Sequence, residues 1–194
     1  MYAPKKNTIY KEIRRLGVGE RIVLGKNTVE IEKIPFSPYK VNNYGFEKLE
    51  EYAALLEEAV KIRASHGCNW VYLSSGWDSS SLLALLVKNY TASKVRAVIA
   101  KYEYANRSRD ANIFEVERAK KIAEYYGVHL DVVPIDFTTS DSIAHWEEIK
   151  YYLLCNHLYA DSSCNFHILS KFISKNSYPG DAVFCGEISD GAHN

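Results

Sequence analysis

The chain has 194 residues, 47% of them hydrophobic, and its 24 Lys and Arg residues are matched by 24 Asp and Glu. That length and apolar content suffice for one well-buried domain with a small appended module, and they exclude a disordered tail. The charge balance excludes an overall field drawing the chain to nucleic acid or to an anionic membrane, so an anionic ligand has to be held by local geometry. Every apolar run stops short of the roughly 20 residues a membrane span needs, and Met1 leads into Tyr-Ala-Pro-Lys-Lys without an apolar signal core. The expectation is a soluble cytoplasmic protein with neither a nucleic-acid nor a membrane partner.

In chain order, two β-prone runs within 21–34 flank Gly25-Lys26-Asn27, which predicts an antiparallel hairpin with a three-residue turn. Pro35, Pro38 and the Asn42-Asn43 pair then break regular structure, so 35–44 is the expected linker, with a β-module over 1–40 and the main domain over 41–194. From Phe46, apolar residues at Leu49, Ala53, Leu56 and Val60 recur at helical spacing. β-prone runs at 70–73, 95–102 and 128–135 alternate with helical runs at 79–89 and 110–126. Helices near 141–159 and 164–175 precede a last strand at 181–185. This alternation predicts an α/β fold: a doubly wound, mostly parallel sheet with helices on both faces.

Cys68, Cys155, Cys164 and Cys185 form no CxxC pair and do not cluster with the histidines at zinc-ligand spacing, so they read as reduced, small buried side chains. His157, His167 and His193 read as ordinary polar or half-buried histidines, and Tyr151, Tyr152 and Tyr159 as core packing or partner surface.

The chemistry concentrates where strand Trp70–Leu73 runs into Ser74-Ser75-Gly76-Trp77-Asp78-Ser79-Ser80 and a helix begins at once. Unpaired backbone N–H groups at a helix start, the helix dipole and serine hydroxyls together make an anion-binding loop, and Asp78 or Ser79 is the expected helix cap. No GxxxxGK[ST] run and no helix-preceding GxGxxG occurs, which disfavours a Walker-type or dinucleotide site. Arg107 and Arg109, after the second strand of the domain, are candidates to meet a phosphate or simply to be solvated.

SSGWDSS resembles the SGGxDSS pyrophosphate loop of the N-type ATP pyrophosphatases, or PP-loop superfamily; six of seven positions fit, and Ser75 replaces the first glycine. CGEISDG at 185–191 resembles the SGExSDE segment of the asparagine synthetase and β-lactam synthetase branch, with Gly186, Glu187, Ser189 and Asp190 matching and Cys185 and Gly191 departing. More loosely, residues 8–24 are similar to the family's segment that closes a glutaminase domain, although Tyr2 stands where the glutaminase branch has its catalytic cysteine.

The resemblance implies an adenine-nucleotide α-hydrolase-like fold and adenylation of a substrate carboxylate by ATP, followed by attack of ammonia or an amine, the ammonia supplied by a separate glutaminase. It implies ATP contacts from Leu73, Ser74, Ser75, Gly76, Asp78, Ser79, Ala100, Cys185 and Gly186, Mg2+ ligation by Asp78 and Asp190, and Glu187 as the catalytic base. The chain stops soon after the second motif, so a fragment or divergent member is expected, and homo-oligomerisation is left open. The alternatives are another PP-loop enzyme, or a degenerate nucleotide-binding scaffold.

Overall fold

The computed structural model describes residues 11–17, 19–34, 45–103, 112–155 and 162–186. The chain divides into two compact units, Met1–Gly45 and Phe46–Asn194. The first holds the antiparallel pair β1 (Glu20–Leu24) and β2 (Val29–Lys33). Leu24 faces Val29, so the connection is Gly25–Thr28, one residue longer than the predicted turn, closed by the Gly25 N–H donating to the Thr28 carbonyl at 2.8 Å. The Arg21 side chain reaches Glu32 across the pair at 2.8 Å.

The second unit runs α1 (Phe46–Lys61), β3 (Asn69–Tyr72), α2 (Trp77–Tyr90), β4 (Val95–Glu103), α3 (Ile113–Tyr126), β5 (His129–Asp136), α4 (Ser140–Cys155), α5 (Ser162–Asn176) and β6 (Ala182–Phe184). The four strands form one parallel sheet in the order β5-β4-β3-β6, as the alternation of strands and helices predicts. Side chains alternate across a strand, so the apolar strands, rich in β-branched residues, supply two cores at once. On one face Val71, Leu73, Val95, Ala97 and Ile99 pack with Val60 of α1, Leu83 and Leu86 of α2 and Val116, Ala119 and Ala123 of α3. On the other, Trp70, Val98, Ala100, Val133 and Ile135 pack with Leu169 and Ile173 of α5. α3 stops where Gly127, at φ 66°, takes the left-handed conformation that other residues resist, and its N–H bonds back to the last turn.

Some expectations are corrected. The predicted apolar stripe of α1 is buried only towards its C-terminal end: Val60 is enclosed, whereas Phe46 and Leu49 are exposed, because α1 meets α2 through its last turns, where Lys88 pairs with Glu57. Of the two expectations for Tyr151 and Tyr152, core packing is excluded, since both are exposed and the buried stripe of α4 runs through Ser142, Ile149 and Leu153; partner surface stays open. Of the four cysteines, only Cys164 is fully buried; Cys155 and Cys185 are exposed, lying at the end of α4 and just past β6. Tyr159, His157, His193, Arg107 and Arg109 lie outside the described residues. No helix among the described residues is long and apolar enough to cross a membrane.

Candidate functional site

A parallel sheet presents all its strand C-termini at one edge, and connections leaving that edge are where ligands bind in open α/β sheets. Here the C-terminal ends of β3 and β4, the segment after β6 and the N-terminus of α2 surround a cavity of about 360 Å³. Leu73, Ser74, Gly76, Asp78, Ser79, Ala100, Cys185 and Gly186 all line it. Eight of the nine residues expected to contact ATP therefore meet at one place, although they come from three separate stretches of the chain.

The loop is organised by its own hydroxyls. Ser79 is buried, and its Oγ accepts from the Ser74 N–H at 3.2 Å, lies 3.1 Å from Ser74 Oγ and donates to the Gly76 carbonyl at 3.3 Å. The first intrahelical bond is from Ser80 N–H to Gly76 O, so the N–H groups of Trp77, Asp78 and Ser79 have no acceptor within the helix. The helix cap is Gly76, without a side-chain cap bond, and not Asp78 or Ser79 as expected. The helix begins two residues earlier than predicted, which puts Asp78 and Ser79 inside its first turn. Ser79 spends its hydroxyl on tying the loop, and the Asp78 carboxylate stays exposed with no hydrogen bond from any described residue.

Ser75, the ninth residue, does not line this cavity. Its φ of 61° lies in the left-handed region, where a side chain costs about 1–2 kcal/mol relative to glycine. Its side chain turns to a second, more open cavity shared with Gly76, Trp77, Arg118 and Lys121, and its Oγ accepts from Arg118 Nε at 3.3 Å. Gly186 shows the opposite constraint. A Cβ there would stand 3.0 Å from Asp78 Cβ and 3.2 Å from the Ser79 nitrogen, so the chain leaving β6 lies against the first turn of α2 more closely than a side chain fits without a shift of a few tenths of an ångström. Glu187 and Asp190 follow immediately and lie outside the described residues.

Sequence reasoning missed several wall residues. Asn112, just before α3, donates from Nδ2 to the Ala100 carbonyl at 2.9 Å and accepts the Tyr102 N–H on Oδ1 at 3.0 Å, closing the open edge of β4 at the cavity. Glu115 takes a further bond from Asn112 at 3.2 Å. α5 contributes Asn165, Phe166 and Leu169. Tyr72 meets Phe166 edge to face at 5.6 Å between centroids, and its hydroxyl lies 2.9 Å from Ser170 Oγ. Burial raises the Tyr72 phenol above its ordinary range, so it is a neutral donor or acceptor in the wall. Asn112 fell inside the helical run expected over 110–126, whereas α3 begins at Ile113 with Asn112 as its cap, and an asparagine near a helix start was the available signal; nothing local marks the α5 residues.

Residues 51–192 match the family model for asparagine synthase. The chain belongs to the asparagine synthase family. The match spans both motifs of this asparagine synthase-family chain, bearing out the resemblance read from SSGWDSS and CGEISDG. A search of curated proteins finds no match. Among solved structures, the chain is similar to a glutamine-dependent NAD+ synthetase from Acinetobacter baumannii in complex with ADP, with 20% identity, 75% of this chain and 26% of that one covered, and a TM-score of 0.42. It is also similar to an NH3-dependent NAD synthetase from Campylobacter jejuni in complex with nitrate, with 18% identity, 72% of this chain and 56% of that one covered, and a TM-score of 0.41. The chain thus spans about a quarter of the first and just over half of the second.

Proposed function

We propose that this chain binds ATP in the cavity at the strand ends and uses it to adenylate a small-molecule carboxylate, the first half of forming an amide. The observation that carries the reading is the meeting of the Ser74–Ser79 loop, the α2 N-terminus and Gly186 around one cavity. The N–H groups of the first turn and the Ser74 hydroxyl suit the β- and γ-phosphates, while Leu73, Ala100 and Cys185 give a mostly apolar wall for the adenine.

In the reaction, a carboxylate oxygen attacks the α-phosphorus, the bond from that phosphorus to the bridging oxygen of the β-phosphate breaks, and pyrophosphate departs. Ammonia or an amine then attacks the acyl carbon, AMP leaves, and the surplus proton of the nitrogen passes to a base, the role assigned to Glu187. The loop's contribution is electrostatic: oriented donors at the place where the leaving group gains charge. Magnesium, when bound, supplies counter-charge to the pyrophosphate. An exposed carboxylate beside a phosphate loop, uncommitted to any described residue, is the donor such an ion takes, so Asp78 fits it; Asp190 is assigned as the second ligand by resemblance. Residues 1–40 are assigned as the end of a glutaminase-like layer and 41–194 as the synthetase domain, acting in the cytoplasm with ammonia from a separate glutaminase.

The test is binding of Mg-ATP together with ATP–pyrophosphate exchange. Asp78→Ala is expected to weaken Mg-ATP binding about 10- to 100-fold, the loss of one charge-assisted contact worth about 1.5–3 kcal/mol, with an unchanged melting curve. Parental affinity in that variant would overturn the site assignment. A second reading, a nucleotide-binding scaffold without catalysis, is favoured by the strained Ser75 where the family has glycine. It predicts Mg-ATP binding without exchange in the presence of any carboxylate tried.

A further inference from the structure

His145 and Glu148 stand three residues apart on α4, hence on one face of the helix, and α5 brings His167 against them. His167 Nε2 lies 2.8 Å from Glu148 Oε2, and His145 Nδ1 lies 3.7 Å from the same oxygen. One ligand atom from each of the three residues falls within 4.8 Å of the others, and the two imidazoles meet edge to face at 5.9 Å between centroids. Both histidines are half-buried, with about a quarter of each side chain accessible. His145 Nδ1 is buried and has no hydrogen-bond partner. A buried polar nitrogen without a partner calls for an explanation, and an absent ion is one of the few available.

We propose that His145, Glu148 and His167 form a binding site for a single divalent transition-metal ion of the zinc class. Two imidazoles and one carboxylate are a zinc-type donor set. Bonds of about 2.0–2.2 Å in a tetrahedron set ligand atoms about 3.4 Å apart, so the widest pair, within 4.8 Å, has to close by up to about 1.4 Å and the 2.8 Å pair has to open slightly. Two helices packed side by side allow that through rotamer adjustment. The fourth position is left for water.

Lys171, one turn beyond His167 on α5, makes the site conditional. Its ammonium contacts both Glu148 oxygens, at 2.9 and 2.7 Å, and offsets the carboxylate in the metal-free protein. A metal ion entering the cluster has to displace that contact, so lysine and metal compete for Glu148. The ion would join α4 to α5, the helix whose Asn165, Phe166 and Leu169 wall the strand-end cavity. Its role is then structural, and the proposal does not depend on ATP binding or on catalysis.

The experiment titrates zinc chloride into the tag-free chain by calorimetry, and cobalt(II) with visible absorption as a geometry probe. One equivalent of zinc should bind and raise the melting temperature, and cobalt should give the ligand-field bands of a four-coordinate site. His145→Ala and His167→Ala should each weaken binding at least tenfold, and Lys171→Met should tighten it. Asn in place of either histidine serves where the Ala variants fail to fold. In the parent, ¹H–¹⁵N imidazole spectra should shift at His145 and His167 on zinc addition. Absence of zinc binding, binding that survives both histidine changes, or binding lost only when the thiols are alkylated would each overturn the site.

Discussion

Replacing Gly186 with alanine tests the closest approach in the candidate site. The added methyl would sit 3.0 Å from Asp78 Cβ, 3.2 Å from Ser79 N and 3.4 Å from the Asp78 carbonyl carbon. Two of those atoms are backbone in the first turn of α2 and the third is fixed to it, so no flexible side chain can swing aside. The chain after β6 and the helix start have to separate by a few tenths of an ångström. Overpacking of this kind costs about 1–3 kcal/mol. For a domain of this size each kcal/mol lowers the melting temperature by about 2–4 °C, so Gly186→Ala should melt about 2–12 °C below the parent. Displacing the first turn moves the N–H groups proposed to face the phosphates, so Mg-ATP binding should weaken about tenfold, or 1.4 kcal/mol. Gly45→Ala is the control, since a Cβ there meets nothing within 4 Å, and it should leave both quantities unchanged. Scanning calorimetry and calorimetric ATP titration read the two effects. Gly186→Ala with parental melting and parental affinity would show that the β6 exit does not press on α2, and the steric argument would fail.

Ser75→Gly removes a left-handed backbone penalty of about 1–2 kcal/mol, but it adds unfolded-state freedom of about 0.5–1 kcal/mol and loses the Arg118 contact. Stability should therefore change by less than about 1 kcal/mol. Arg118→Ala leaves Ser75 strained and unbraced, so it should weaken Mg-ATP binding in the parent and have little effect in the Ser75→Gly background. A double-mutant cycle on Mg-ATP affinity measures this, and equal effects of Arg118→Ala in both backgrounds would refute the bracing role. Asp181 is held below its ordinary value of 3.8 mainly by the Tyr178 N–H, with the Cys68 N–H as a further donor. Its contribution to stability is thus complete above the unfolded value and disappears as pH falls through the lower folded value. Melting temperature measured downward from about pH 5 should drop less steeply in Asp181→Asn than in the parent, from a lower starting point; parallel curves would contradict this.

Much of the fold could be read locally. The runs at 70–73, 95–102 and 128–135 are apolar and β-prone because each strand is covered on both faces, and the helices between them carry periodic stripes. Strand and helix types followed from that pattern with boundary shifts of one or two residues at most ends. The Ser74–Ser79 loop was legible because a strand, a polar turn and a helix start are contiguous, so residues 73–79 carry their own geometry. The first turn of α2 was misread locally: Ser79 looked like a cap, whereas its hydroxyl is committed to Ser74 and Gly76.

Sequence by itself thus determined the family, the parallel α/β class and the position of the loop, because these depend on periodicity and on short contiguous motifs. Tertiary structure alone decided which residues the loop faces. Asn112 and Glu115 come from the start of α3 and Asn165 and Phe166 from α5, and no spacing in the chain encodes those meetings. The same holds for His145, Glu148 and His167. Each is an ordinary polar residue on its own helix, and only the packing of α5 against α4 places two imidazoles around one carboxylate, since side-chain chemistry is local but proximity is set by the burial of the helices' other faces.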